Sequence, residues 1–152
     1  TLMAFHGKFD INIKCEGDTY VDDHHTIEDI GIALGQCVKG ALGDRCGIRR
    51  YSTVFIPMDE ALAQTSIDVS NRPYLVFNAE FTDERVGNMA TQMVKEFFRA
   101  FVNESRVTLH INLLYGENDH HKIEAIFKSF ARALKDAIEI ISDEVASSKG
   151  VL

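Results

Sequence analysis

The stretch DHHKIE at residues 119–124 repeats, with one substitution, the stretch DHHTIE at residues 23–28. We call residues 23–28 the first histidine block and residues 119–124 the second. Four of the six histidines of the chain lie in these blocks. An apolar run with a period near 3.6 residues follows each block, so each one is predicted to begin an amphipathic helix.

The spacing inside a block has a chemical meaning. On a helix, the glutamate lies three and four residues after the two histidines, so it can share a face with either of them. The two histidines point about 100° apart, and one block can therefore serve two ions. Imidazole and carboxylate ligands suit manganese, iron or zinc better than calcium or magnesium. Paired histidines can also simply begin a helix, but their recurrence in matching context favours metal binding.

The composition is that of one ordinary globular domain of 152 residues, with 45% apolar side chains. No apolar run approaches the roughly 20 residues of a membrane span, so no membrane partner is expected. Cys15, Cys37 and Cys46 lack a C-x-x-C spacing, which predicts reduced thiols in a cytoplasmic protein. The net charge of −7 argues against a nucleic acid partner. An anionic substrate would need a local basic cluster.

Hydrophobic periodicity and turn residues predict an α+β chain. Strands are expected at residues 9–15, 19–21, 48–56, 62–70, 74–81 and 107–113, and helices at residues 24–42, 90–104 and 120–140. The order of strand, turn, histidine block and helix occurs in both halves, about residues 1–81 and 82–152. We therefore expect an internal duplication in which helices pack on one face of mainly antiparallel sheets.

Five segments resemble, in the same order, the imidazoleglycerol-phosphate dehydratases of histidine biosynthesis. They are the two histidine blocks, residues 57–62 (PMDEAL), residues 72–74 (RPY) and residues 147–150 (SSKG). The resemblance implies a single domain of two ribosomal-protein-S5-domain-2-like halves. It also implies two manganese ions per active site, and a homo-oligomer, a 24-mer built from trimers, with sites at subunit interfaces. The implied reaction is dehydration of D-erythro-imidazole glycerol phosphate to imidazole acetol phosphate.

The resemblance also implies roles for individual residues. The expected metal ligands are His24, His25, Glu28, His120, His121 and Glu124. Catalytic positions near the reacting diol are Asp59 and Lys128, with Glu124 and Lys128 as candidates for proton transfer. The positions that match phosphate-binding residues are Arg50, Arg72, Ser147 and Lys149.

The sequence departs from the family at two places. Glu96 stands where some members have a further metal-binding histidine, and a carboxylate can replace that ligand. Family members also carry another metal histidine and an acidic residue implicated in catalysis in a segment ahead of the position of Thr1. That acidic residue is an alternative to Glu124 and Lys128 for proton transfer. We therefore expect that a preceding segment belongs to the protein.

Several of these residues also have an ordinary structural interpretation. Lys128 lies four residues after Glu124 and could form an ordinary surface ion pair. Arg50 and Arg72 could be surface charges, and residues 147–150 could form a flexible terminus. Two neighbouring metal ions would instead favour a role for Lys128 as a positioned acid or hydrogen-bond donor. Two hydroxyls, an ammonium and a glycine in residues 147–150 suit a phosphate.

The expected mechanism is metal-dependent and proceeds through a metal-bound imidazolate of the substrate, which helps to expel the hydroxyl group. A carboxylate or metal-bound water takes the carbon proton, and an acid assists departure of hydroxide. Two other functions use the same residues. One is a non-catalytic dinuclear metal-binding module, and the other is a metal-dependent phosphatase. The first would leave Arg50, Arg72 and residues 147–150 without a joint role.

Overall fold

The computed structural model describes all 152 residues. Its helices are α1 (Leu2–Gly7), α2 (His24–Leu42), α3 (Met93–Ser105) and α4 (Asp119–Ala137). Its strands are β1 (Tyr51–Met58), β2 (Ala61–Asp68), β3 (Tyr74–Asn78), β4 (Arg85–Val86), β5 (Met89–Ala90) and β6 (Thr108–Tyr115). No helix has the length and apolar content needed to cross a membrane.

Four strands form one sheet in the order β1-β2-β6-β3. The β1–β2 and β2–β6 pairs are antiparallel, and β3 runs parallel to β6. Side chains of β2 alternate, and Ala61, Ala63, Thr65 and Ile67 are buried on the face that α4 covers. A mixed α+β fold with a mainly antiparallel sheet and helices packed on it is thereby confirmed.

The core lies between this sheet and helices α3 and α4. Large aromatic rings fill it, with Phe98 in contact with Phe97, Phe127 and Phe130 at centroid distances of 5.0–5.2 Å. Helix α2 forms a further layer on α3. Gly31 and Gly35 allow that approach, because a Cβ at either residue would lie 2.6–2.7 Å from a backbone oxygen of α3. Close packing on α3 thus holds the helix that begins with the first histidine block.

Most predicted elements are present, with ends within three residues of those expected. The strands expected at residues 9–15 and 19–21 are wrong, since both segments are irregular. Alternating side chains are not enough for a strand, because the backbone also needs a neighbouring strand for its hydrogen bonds. Phe9 and Ile11 instead line an apolar cavity of about 490 Å³ beside α2.

A short hairpin of β4 and β5, not predicted from the sequence, connects the sheet to α3. Strands β1, β2 and β3 come from residues 1–81 and β6 from residues 82–152. The two predicted halves thus contribute to the same four-stranded sheet, and the division into pseudo-repeats stays a prediction.

Candidate functional site

Helix α4 begins with the second histidine block because Asn118 caps it. The Asn118 side chain accepts hydrogen bonds from the backbone N–H groups of His120 (2.9 Å) and His121 (3.3 Å). One turn later, Glu124 Oε1 lies 3.8 Å from His120 Nε2. The helix therefore brings one imidazole and one carboxylate of this block to the same face.

The second histidine of this block is oriented by the turn between β1 and β2. His121 Nδ1 donates to Glu60 Oε2 at 2.7 Å, and His121 Nε2 lies 3.7 Å from Asp59 Oδ2. The other Glu60 oxygen accepts the backbone N–H groups of Asn118 (2.8 Å) and Glu117 (3.1 Å). The Asn118 amide, followed by the His121 imidazole, lowers the pKa of Glu60 to about 2. The same hydrogen bond, which Glu60 accepts, raises the pKa of His121.

The first block repeats this arrangement at the start of α2. Asp22 accepts the backbone N–H of His24 at 2.9 Å, and His24 Nε2 lies 3.9 Å from Glu28 Oε2. His25 Nδ1 donates to Asp18 Oδ2 at 2.9 Å. This hydrogen bond raises the pKa of His25 and lowers the pKa of Asp18. In both blocks, a carboxylate from an earlier segment thus orients the second imidazole.

This donor set fits a transition-metal ion. A ligating histidine typically donates its other ring N–H to a carboxylate, which leaves the opposite nitrogen free to bind. His25 and His121 both satisfy that pattern, since their Nδ1 atoms are engaged by carboxylates. Within the single chain, no group of three or more histidine, cysteine, aspartate or glutamate side chains converges to hold an ion.

Glu124 also contacts Lys128, the residue expected to act as an acid. Lys128 Nζ donates to Glu124 Oε2 at 2.7 Å and lies 3.1 Å from Met58 Sδ, with its side chain 17% exposed. The hydrogen bond from Lys128 lowers the pKa of Glu124, so this carboxylate is ionised at neutral pH. Its two oxygens face different partners, one towards His120 and the other towards Lys128. The structure thus joins His120, His121, Asp59, Glu124 and Lys128 in one cluster.

A second cluster lies just before β1 and contains the arginines expected to bind phosphate. Arg50 donates two hydrogen bonds to Asp68, at 2.8 and 3.3 Å, and Arg72 lies 3.5 Å from the same carboxylate. Arg50 adopts a φ of 75°, in the left-handed region where non-glycine residues are uncommon. Such strained backbone is often found at functional positions.

The C-terminal tail is attached to this cluster at two points. The Arg50 guanidinium donates to the carbonyl oxygen of Ala146 at 2.7 Å, next to Ser147. Asn71 Nδ2 lies 3.5 Å from the carbonyl oxygen of Leu152. Lys149 lies between these points and has an exposed side chain. The tail therefore runs beside Arg50 and Arg72, which gathers the four residues expected to bind phosphate at one end of the sheet.

The two clusters are far apart in one chain. Arg50 precedes β1 and Asp59 follows it, and a strand of eight residues spans about 26 Å at roughly 3.3 Å per residue. The first histidine block begins beside the same β4–β5 hairpin as the second, since Asp23 and Asp119 both contact residues 82–90. Both histidine blocks therefore lie at one end of the molecule, and the basic cluster lies at the other.

Glu96, expected as a further metal ligand, faces a different partner. It lies in the first turn of α3 and pairs with Arg99, one turn later. It forms no hydrogen bond or ion pair with a histidine of this chain. Its proposed ligand role therefore stays a prediction.

Sequence reasoning missed several residues of these clusters. Asp18, Glu60 and Asp68 each bind a predicted site residue but were not singled out. Glu60 follows Asp59 directly, so proximity in sequence was an available signal. Nothing in the sequence marks Asp68, because its partner Arg50 meets it only through strand pairing. His6 also lies near Glu124 and Lys128, where burial and then Lys128 lower its pKa.

Comparison with known sequences identifies one family. A family model described as imidazoleglycerol-phosphate dehydratase matches residues 1–134. The chain is 72% identical to the imidazoleglycerol-phosphate dehydratase of Clostridioides difficile over 152 residues, covering 100% of this chain and 79% of that protein. It is 56% identical to the same enzyme of Caldicellulosiruptor saccharolyticus over 151 residues, covering 99% and 78%.

Solved structures agree with the sequence comparison. The imidazoleglycerol-phosphate dehydratase of Staphylococcus aureus superposes with a TM-score of 0.86 at 49% identity, over 91% of this chain and 78% of that one. A structure of the Pyrococcus furiosus protein, in complex with (S)-C348, gives a TM-score of 0.81 at 34% identity, over 99% and 82%. The structural comparison and the sequence comparison thus identify the same family.

Proposed function

Because the chain belongs to the imidazoleglycerol-phosphate dehydratase family, hydro-lyases of histidine biosynthesis, we propose that its reaction depends on transition-metal ions held by the two histidine blocks. The substrate is D-erythro-imidazole glycerol phosphate and the product is imidazole acetol phosphate. Manganese is the proposed metal, with two ions per active site.

The matching geometry of the two blocks carries the metal proposal. Each block pairs its first histidine with its own glutamate, at 3.9 Å for His24 and 3.8 Å for His120. Each block also has a second histidine whose Nδ1 is held by a carboxylate. We assign the ligand roles to His24, His25, Glu28, His120, His121 and Glu124. When bound, the ions would supply Lewis-acid chemistry at the imidazole of the substrate and favour its imidazolate form.

Lys128 is the proposed acid for the departing hydroxyl group. Its ammonium has three protons, of which one is donated to Glu124 and another is directed at Met58. One proton is therefore left for a substrate oxygen. Glu124 holds the Lys128 side chain in place and, as an ionised carboxylate, is a candidate base for the carbon proton. Asp59 lies at the exposed turn beside His121 and is proposed to contact the diol.

Arg50, Arg72, Ser147 and Lys149 are proposed to bind the phosphate group. A dianionic group needs such a local cluster because the net charge of the chain is −7. Since this cluster lies about 26 Å from the second histidine block along β1, one small substrate cannot reach both within a single chain. The proposed active site is therefore completed across subunit interfaces of a homo-oligomer, and the proposed assembly is a 24-mer built from trimers.

The test is incubation of the metal-free protein with imidazole glycerol phosphate, with and without added manganese. Elimination of water gives a ketone that can be followed by its absorbance in alkali, and released phosphate is measured in the same samples. We expect imidazole acetol phosphate only when manganese is present, with no phosphate release. Activity that survives complete metal removal would contradict the metal proposal.

The same experiment separates the alternatives. Metal uptake without product formation would indicate a non-catalytic metal-binding module. Release of inorganic phosphate would indicate a phosphatase. The control variant is Lys39→Ala, which removes an exposed lysine on the last turn of α2, away from both clusters. It should behave like the parent in all three measurements.

A further inference from the structure

The aspartate that opens each histidine block has no role in the proposed chemistry. Its side chain does not cap the helix either, because the side chain of the residue before it accepts the first free N–H group. Asp22 accepts the N–H of His24, and Asn118 accepts the N–H of His120, both at 2.9 Å. The side chains of Asp23 and Asp119 are therefore free to reach another part of the molecule.

Asp119 reaches the segment that leads into the β4–β5 hairpin. Its Oδ2 atom accepts the backbone N–H groups of Thr82 and Asp83, both at 2.7 Å. Its Oδ1 atom accepts a hydrogen bond from Lys122 at 2.6 Å. The side chains of Asp119 and Lys122 are only 1% and 7% exposed. This is a buried carboxylate with every oxygen engaged.

Asp23 reaches the second strand of the same hairpin, also near its base. Its Oδ2 atom accepts the backbone N–H of Ala90 at 2.5 Å, and Arg85 lies 3.6 Å from the same oxygen. Arg85 and Ala90 are opposite one another in the β4–β5 pair. The hairpin is also closed at its base, where the Thr91 hydroxyl donates to the carbonyl oxygen of Asp83 at 2.7 Å. Two separate helices thus begin on one short, internally bonded segment.

Stability alone does not explain the buried ion pair of Asp119 and Lys122. Desolvation of a buried ion pair offsets much of its attraction, and apolar residues of similar volume often serve stability equally well. The aspartates can instead fix the orientation of the helix starts, since each aspartate is followed immediately by a proposed metal ligand. Ligands must be held within about 0.5 Å of their productive positions.

We infer that Asp23 and Asp119 are positioning residues, which anchor the starts of both histidine helices on the β4–β5 hairpin and so orient the histidines for metal. This inference rests on the proposed metal-binding function. It assigns the hairpin a shared role, because it supports both blocks of the chain. Loss of either aspartate should weaken metal binding in protein that is still folded.

The experiment measures manganese affinity of the metal-free protein by titration with manganese chloride. Free manganese is read by electron paramagnetic resonance at a temperature well below the unfolding midpoint of each variant. We expect Asp23→Ala and Asp119→Asn to weaken binding by about 10- to 100-fold, the usual effect of losing a residue that orients ligands. Asn cannot replace Asp119, because both oxygens of Asp119 accept hydrogen bonds and an amide has only one acceptor oxygen. Asp23→Asn, which keeps an acceptor oxygen for the Ala90 amide, should recover most of the affinity.

The matched control is Ile111→Val, a cavity-forming change in the centre of the sheet that lowers stability without touching the hairpin. Ile111→Val should bind manganese like the parent. If the aspartates served only stability, their variants would show the same manganese affinity as Ile111→Val. Parental affinity in folded Asp23→Ala would overturn the inference, even if Asp119→Asn failed to fold. If the parent itself bound no manganese, the proposed function would fail instead.

Discussion

Glu60 and His121 are 61 residues apart in sequence and are joined by a hydrogen bond of 2.7 Å. The other oxygen of Glu60 is held by two backbone amides at the start of α4. One carboxylate in the β1–β2 turn therefore fixes both the beginning of the helix and the ring orientation of its second histidine.

We expect Glu60→Gln to lower the pKa of His121 in the metal-free protein, because the ionised Glu60 is the main cause that raises it. The measurement is an NMR titration of the His121 ring protons. Asp59→Asn is the control, since Asp59 makes a smaller contribution to the same pKa. An unchanged His121 pKa in Glu60→Gln would show that the hydrogen bond is absent in solution.

The same substitution predicts a pH dependence of stability. The pKa of Glu60 falls from 4.5 to about 2 on folding, so its carboxylate stabilises the folded state above about pH 4.5 and loses this effect as the pH falls towards 2. The stability difference between the parent and Glu60→Gln should therefore be fully present above about pH 4.5 and shrink as the pH falls towards 2. Urea unfolding across this range measures it, and a difference that grew in acid would contradict the assignment.

No three metal-ligating side chains converge within one chain, so we expect each metal site to combine histidine blocks from two subunits. Such sites predict recovery of activity when two inactive chains are combined. A chain with His24→Ala and His25→Ala lacks the first block, and one with His120→Ala and His121→Ala lacks the second. Each alone should bind little metal and have no activity. After the two are unfolded together and reassembled, some sites should contain both intact blocks, and activity should return. No recovery in assemblies shown to be mixed would indicate that both histidine blocks of a site come from one chain.

The phosphate assignment predicts a kinetic effect without a metal effect. Lys149→Ala and Arg72→Ala should each raise KM by roughly 10- to 150-fold, the cost of one charge-assisted contact. Metal content should stay at the parental level, because these residues lie at the end of the sheet remote from the histidine blocks. Steady-state kinetics and elemental analysis provide the two measurements, with Lys39→Ala as the control. Metal loss in Lys149→Ala would instead indicate a role in assembling the site.

Helix α2 supplies a matched pair of glycine substitutions. Gly35→Ala places a Cβ 2.6 Å from the Phe101 oxygen and should destabilise the protein by about 1–3 kcal/mol through overpacking. Gly40→Ala meets no atom within 4 Å and should stabilise it by up to about 1 kcal/mol. Urea unfolding of both variants tests the packing of α2 on α3. Equal effects of the two would mean that the helices do not approach so closely.

Local patterns sufficed for the elements that carry the histidines. The period of the apolar side chains predicted α2 with its observed ends, and Gly43 follows its last residue with a φ of 52°. An alternating pattern of apolar and polar side chains wrongly predicted a strand at residues 9–15, where no other strand lies alongside. The contacts of Asp68, Asp23 and Asp119 depend on tertiary structure, so no spacing in the sequence could reveal them.

The distance between the two ends of β1 has a consequence for the enzyme in dilute solution. If the histidine cluster and the basic cluster of one active site belong to different subunits, an isolated subunit has no complete site. Specific activity would then depend on protein concentration, because mass action sets the fraction of assembled subunits. Catalytic output would rise more steeply than in proportion to the amount of protein wherever subunits and assemblies are both populated. If a cell lowered the expression of such a subunit into that range, flux through the pathway would fall more sharply than in proportion to the amount of protein.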